Sequence, residues 1–165
     1  YGGRVPKDDF VTEAYGTTDE AVAVMGLARS LTDDRSMAEE ILGLQRALFV
    51  VGADLATNPA ERSKLTPGVS LVTAEMTERL ETRIDELVAE RPLPEVFVVP
   101  GANPASAALD MARSTIRRAE RAVVALERHD RAVNAEVRRY LNRLSDLLFV
   151  LARWEAGESE PASHD

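Results

Sequence analysis

Nine consecutive residues, Arg113-Ser-Thr-Ile-Arg117-Arg118-Ala-Glu120-Arg121, set four arginines and one glutamate inside an alanine-rich stretch that reads as helix. At 100° per residue, Arg113, Arg117, Glu120 and Arg121 fall within about 100° of one another on the helical wheel. Ala105, Ala108, Leu109, Ala112, Ile116, Ala119, Val123 and Leu126 fall mostly on the opposite side. Guanidinium groups one turn apart repel each other unless an anion or a set of carboxylates lies between them. Their planar, permanently charged forks suit phosphate. A solvated arginine face on an amphipathic helix is the plain alternative for the same residues.

A second stretch, Tyr140-Leu-Asn142-Arg143-Leu-Ser145-Asp146-Leu-Leu-Phe149-Val-Leu-Ala-Arg153, sets Asn142, Ser145 and Asp146 at i, i+3 and i+4 in a leucine-rich helix. One such polar ridge, taken alone, is most simply a satisfied network between helices. Other segments with polar or turn-forming residues are Pro6-Lys7-Asp8-Asp9, Ala14-Tyr15-Gly16-Thr17-Thr18-Asp19-Glu20, Gln45-x-x-Leu48-Phe49 and Phe97-Val-Val-Pro100-Gly101.

The composition limits what these residues can be for. A chain of 165 residues buries a core as one domain without staples. Without cysteine there is no disulfide, thiolate metal site or cysteine nucleophile. His129, at a helix end, and His164, near the C-terminus, are too few and too far apart in sequence for a histidine-ligated metal. A net charge of −8 argues against general nucleic-acid binding and makes the arginine cluster a local exception. No apolar run approaches the roughly 20 residues that span a bilayer. No signal peptide opens the chain, and the cytoplasm is the expected compartment.

Prolines punctuate the chain, and the stretches between them carry helix-period apolar residues. Thr17-Thr-Asp-Glu20 fits a capping box that opens a first helix running to about Leu31, with Asp19 in its first turn. Asp33 or Asp34 caps a second helix to about Ala56. Asn58-Pro59 through Pro67-Gly68 reads as a loop, and Thr73 begins a third helix. Val96-Phe-Val-Val99 is too short and isolated to found a sheet and reads as an extended connector. The fourth helix runs from about Pro104 to about Arg128 and the fifth from about Ala132 to Trp154. The expectation is an all-α antiparallel five-helix bundle over residues 1–155, followed by a small, acidic and frayed tail over 156–165.

In order and spacing, these segments resemble the PduO-type corrinoid adenosyltransferases, and the likeness covers Tyr1 to Arg153. The resemblance implies a homotrimeric bundle with active sites between subunits. It also implies a reaction in which the adenosyl group of ATP passes to reduced cobalamin, giving adenosylcobalamin and triphosphate. ATP, magnesium and cobalamin are then the bound species, and a reductase and a cobalamin-dependent mutase are the expected protein partners. Lys7 matches the phosphate-contacting lysine of the family. Arg117, Arg118, Glu120 and Arg121 match its nucleotide-binding motif, with Arg117 on phosphate and Glu120 toward the nucleotide or magnesium's water. Asn142 matches a nucleotide-contacting asparagine. Arg113 and Asp19 match an ion pair, between subunits or helices, that shapes the site. Phe97 matches a position near the corrin, where a large apolar group excludes a lower axial ligand from cobalt.

The sequence departs from the family pattern in two ways. A glycine-rich triphosphate loop, Thr-x-x-Gly-Asp-x-Gly-x-Thr, precedes this segment in the family. Tyr1 is not a natural start, and a longer protein is expected upstream. Ala102 replaces the second glycine of Pro-Gly-Gly, and Asp110 stands where histidine is common. The alternative to the enzyme is a module that holds adenosylcobalamin and delivers it to a mutase, which a stretch lacking the loop favours. A purely structural helical adaptor is a third reading, and the two polar ridges weigh against it.

Overall fold

The structure, a computed structural model, describes residues 5–157 and 159–164. Tyr1, where the likeness begins, lies outside the described residues, as do residues 2–4, 158 and 165. Five α-helices and one short 3₁₀ helix make up the described chain: α1 (Phe10–Leu31), α2 (Arg35–Ala56), the 3₁₀ helix (Pro59–Lys64), α3 (Ala74–Glu90), α4 (Pro104–Arg128) and α5 (Ala135–Ala156). The all-α expectation holds.

Capping chemistry explains most helix starts. Asp34 accepts from Ser36 N at 2.7 Å and so opens α2 where expected. At α4, Asn103 and Ser106 bond each other's backbone N–H groups, at 2.8 and 3.2 Å, and Pro104 takes the first turn, where its missing N–H costs nothing. Two starts differ from the reading of the sequence. Helix α1 begins at Phe10, because Asp9 accepts from Val11 N at 2.9 Å. The Thr17-Thr18 hydroxyls, read as caps, instead donate back to the carbonyls of Glu13 and Tyr15, each at 2.7 Å. Asp19 therefore stands nine residues beyond the helix start, out of reach of the N-terminal dipole. Helix α5 is capped by Asn134 and begins three residues later than Ala132.

Helix α1 lies against α2 and α4, α4 against α5, and α3 chiefly against α5. The end-to-end contacts fix the directions. Thr32 after α1 donates to Glu155 near the end of α5 at 3.0 Å, and Asn103 before α4 donates to the Glu155 carbonyl at 2.8 Å. At the opposite end, Arg131 after α4 meets Asp9 before α1 at 2.9 Å. Helices α1 and α5 thus run one way and α4 the other. Toward α2, helix α3 is bridged by Arg83, whose Nε and Nη2 both reach Glu40 at 2.9 Å. A cavity of about 300 Å³ lies beside that clasp, lined by Leu44, Met76, Leu80 and Tyr140 among others.

The α4 seam decides which way the arginines point. Leu109, Ala112, Ile116, Ala119 and Val123 are fully buried, as are Leu141, Leu144 and Leu148 of α5. Burying one such leucine or isoleucine is worth about 1.5–3 kcal/mol, so this stripe outweighs any single surface ion pair and sets the rotation of α4. The far face, with Arg117 and Arg121, is left outward.

The expected extended connector is present. It makes one isolated antiparallel bridge, Val98 with Ala162. Residues 161–163, in the stretch expected to fray, run back along it: Val99 N donates to Pro161 O at 2.9 Å and Ser163 N to Phe97 O at 2.7 Å. Among the described residues, no helix is long and apolar enough to cross a membrane.

Candidate active site

The arginine face divides into residues with and without partners. The Nε of Arg113 donates to Asp110, one turn earlier on α4, at 3.0 Å. Arg118 reaches across to Glu20 of α1, whose carboxylate holds the guanidinium pKa above its usual value. Glu120 accepts from Asn142 Nδ2 of α5 at 3.1 Å, which joins the two motif stretches across the helix boundary. Arg117 and Arg121 are exposed and have no hydrogen-bond or ion-pair partner among the described residues. Repulsion between exposed guanidiniums about 6 Å apart is only roughly 0.7 kcal/mol in water, so the face is tolerable while empty. It is still suited to receive an anion.

A groove of about 290 Å³ runs beside this face. Arg113 and Arg117 line it on α4, with Ser145, Asp146 and Phe149 opposite on α5. Ser145 is not free to act alone, because its hydroxyl donates to the Asn142 carbonyl at 2.7 Å. Asp146 is engaged by Arg143 at 2.9 Å.

The other residues expected at the site are not gathered there within one chain. Lys7 is exposed ahead of α1. Asp19 lines a separate groove of about 360 Å³ between α1 and α2, with Tyr15, Leu48 and Phe49. Within the chain Arg113 pairs with Asp110 and not with Asp19, since Asp19 faces a different groove. Phe97 is 86 % exposed on its connector.

The sequence reading missed a buried ion network beneath the site. Arg153 of α5 contacts both Asp110 and Glu160, and their side chains are 5, 6 and 4 % exposed. Burial pushes the Glu160 carboxyl up, against the pull of Arg153. The Asp110–Arg113 spacing of three residues was a local signal for one link. Nothing local in the sequence points to the Arg153–Glu160 link.

Among the described residues no three acidic or histidine side chains gather to hold a metal ion by themselves. Among the described residues Glu120 is the carboxylate of the arginine face that no arginine holds. That donor set fits magnesium, which takes one or two carboxylates and draws its other oxygens from phosphate and water.

Arg117 and Arg121 of α4 are thus left open to solvent, with Arg117 lining a groove between α4 and α5. A family model described as cobalamin adenosyltransferase matches residues 1–155. A corrinoid adenosyltransferase of Citrobacter freundii is 41 % identical over 155 residues, covering 93 % of this chain and 85 % of that protein. The human corrinoid adenosyltransferase MMAB is 39 % identical over 157 residues, covering 94 % of this chain and 62 % of that protein. Among solved structures, a variant PduO-type ATP:corrinoid adenosyltransferase from Lactobacillus reuteri, complexed with cobalamin and ATP, superposes with a TM-score of 0.84 at 33 % identity, covering 96 % of this chain and 87 % of that one. A second variant of that enzyme, complexed with ATP, gives 0.86 at 32 % identity, covering 98 % and 90 %. The chain belongs to the cobalamin adenosyltransferase family.

Proposed function

We propose that this chain transfers the adenosyl group of ATP to reduced cobalamin and releases triphosphate, at a site on the arginine face of α4. The electron pair on reduced cobalt attacks C5′ of ATP. The new Co–C bond forms as the C5′–O bond breaks, and triphosphate leaves with that bonding pair. Cobalt in this state is already a strong nucleophile, so the protein's main contribution is fixed positive charge where the leaving group gathers its own. The observation that carries this reading is that Arg117 and Arg121 have no partner among the described residues, while their neighbours Arg113 and Arg118 are already held by carboxylates.

In this reading Arg117 contacts phosphate, Arg121 and Lys7 add charge, and Arg118 is set by Glu20. Asn142, held through Nδ2 by Glu120, offers its Oδ1 to the nucleotide. Magnesium, when bound, neutralises phosphate charge, and Glu120 is the side chain to hold it through water. The site is completed between subunits of a homotrimer: Asp19 of one copy reaches Arg113 of the next, and Phe97 stands against the corrin. Residues 1–155 act as one unit in the cytoplasm, supplied by a reductase and consumed by a cobalamin-dependent mutase.

Mixing the protein with ATP and chemically reduced cobalamin tests the reaction. Adenosylcobalamin and triphosphate should appear in equal amounts. Release of ADP, or tight adenosylcobalamin binding with no turnover, would reject it and leave the delivery module. Sedimentation at about three times 18.0 kDa is expected, and a monomer with full activity would reject the shared site.

A further inference from the structure

Phe97 is 86 % exposed, so side-chain packing does not place it. Backbone does. Ser163 N donates to the Phe97 carbonyl at 2.7 Å, and Val99 N donates to the Pro161 carbonyl at 2.9 Å. The segment 161–163 therefore fastens the connector at Phe97 and at Val99.

That segment is anchored in turn by charge. Glu160 lies against Arg153, at 2.7 Å from Nε and 2.9 Å from Nη2. Arg153 also holds Asp110, and the other oxygen of Asp110 accepts from Arg113 Nε at 3.0 Å. Four charges of alternating sign run from the tail to Arg113, and only Arg113, at 29 %, is appreciably exposed. In a buried chain of this kind, breaking one link leaves its neighbour an unpaired charge, so the links behave as a unit.

We infer that Glu160 and Arg153 are positioning residues for adenosyl transfer. The segment 160–163 acts as a strap that sets Phe97 on one side and Arg113 on the other. This rests on the proposed reading that Phe97 stands against the corrin and that Arg113 meets Asp19 of the next copy. Neither Glu160 nor Arg153 touches substrate in it. A strap that served stability alone would not distinguish the two substrates, whereas a positioning strap acts on the corrin side through Phe97.

The test is a double-mutant cycle between Glu160 and Phe97 in the full chain. Glu160→Ala should lower turnover about tenfold and raise KM for reduced cobalamin, while ATP affinity by calorimetry stays within about twofold. Phe97→Ala should be costly in the native background. Added to Glu160→Ala, it should cost no more than about a further twofold, because the ring is already unseated. Glu160→Gln keeps the size and an acceptor for Arg153 without the charge, and should give a smaller loss of the same kind. It carries the test if Glu160→Ala proves poorly folded. Equal costs of Phe97→Ala in both backgrounds, or unchanged turnover in both Glu160 variants, would overturn the strap. Loss of ATP affinity in step with turnover would overturn it too. If Phe97→Ala alone leaves turnover unchanged, the placement of Phe97 at the corrin has failed, and the strap falls with it.

Discussion

Asp54 and Arg117 are both single charges carried by long helices, and they meet opposite fates. The Asp54 side chain is fully buried, and its oxygens accept from Val72 N at 3.0 Å, Asn134 Nδ2 at 2.7 Å and Arg62 Nη2 at 3.1 Å. Those donors come from the loop after α2, its 3₁₀ helix and the cap of α5, so one carboxylate ties three segments together. Arg117 has no such partners among the described residues and faces outward. A buried charge must be satisfied by the protein itself. An exposed one can wait for a ligand at little cost. The first cluster is scaffold, and the second is the proposed site.

The largest effect should come from breaking the scaffold. Asp54→Ala strands the Val72 N–H and the Asn134 amide, and should destabilise the fold by about 3 kcal/mol in urea unfolding. Nucleotide affinity of the molecules that remain folded should not change. A loss below about 1 kcal/mol would show that the cluster is not closed as described.

Arg117→Ala should do the reverse. It should weaken ATP binding by about 1.5–3 kcal/mol, the worth of a charge-assisted contact, and leave unfolding nearly untouched. Arg128→Ala, on the same helix outside the motif, is the control. Equal losses in calorimetry would remove Arg117 from the site.

Arg113 belongs to both kinds of cluster, which a pair of cycles can resolve. With Asp110→Asn, coupling of about 1 kcal/mol or more should show in unfolding, because the pair lies within one chain. With Asp19→Ala, coupling should show in turnover and only in the assembled protein. Turnover losses that add to within about 0.5 kcal/mol would rule out the Asp19 pairing. The smallest effect belongs to Arg118 and Glu20, each about half exposed. Removing either should change stability by less than about 1 kcal/mol, and a larger loss would mean that this pair is more enclosed than it looks.

Much of this was legible in the sequence, for local reasons. Asp34 and Pro104 marked their helix starts because capping is decided within four residues, and Thr73 takes the N-cap position of α3 without a side-chain cap bond. The same rule misled at Thr17-Thr18-Asp19-Glu20, which has the pattern of a capping box but lies mid-helix. There the hydroxyls satisfy themselves on the preceding turn and Asp9 does the capping. The arginine face was legible because its period opposes the apolar stripe. Its split into held and open arginines was not, since Glu20 lies 98 residues from Arg118 in sequence and only the packing of α1 on α4 brings them together. The ion pairs of Glu160 were not legible for a related reason. The composition around it is that of a frayed end, and its partners lie on α5 and, through Arg153, on α4.

The Arg83–Glu40 clasp has a consequence for how the molecule opens. Helix α3 has one substantial seam, on α5, and beside the cavity it meets α2 through an ion pair whose side chains are 38 and 19 % exposed. Such a pair is worth about 1 kcal/mol or less. Helix α3 is therefore the cheapest cooperative unit to detach, and its amides should exchange with solvent before those of α1, α4 and α5. The arginines themselves lie on α4, which stays closed. Ile84 of α3 lines the groove beside Arg113 and Arg117, so when α3 detaches the proposed anion site keeps its charges and loses one wall.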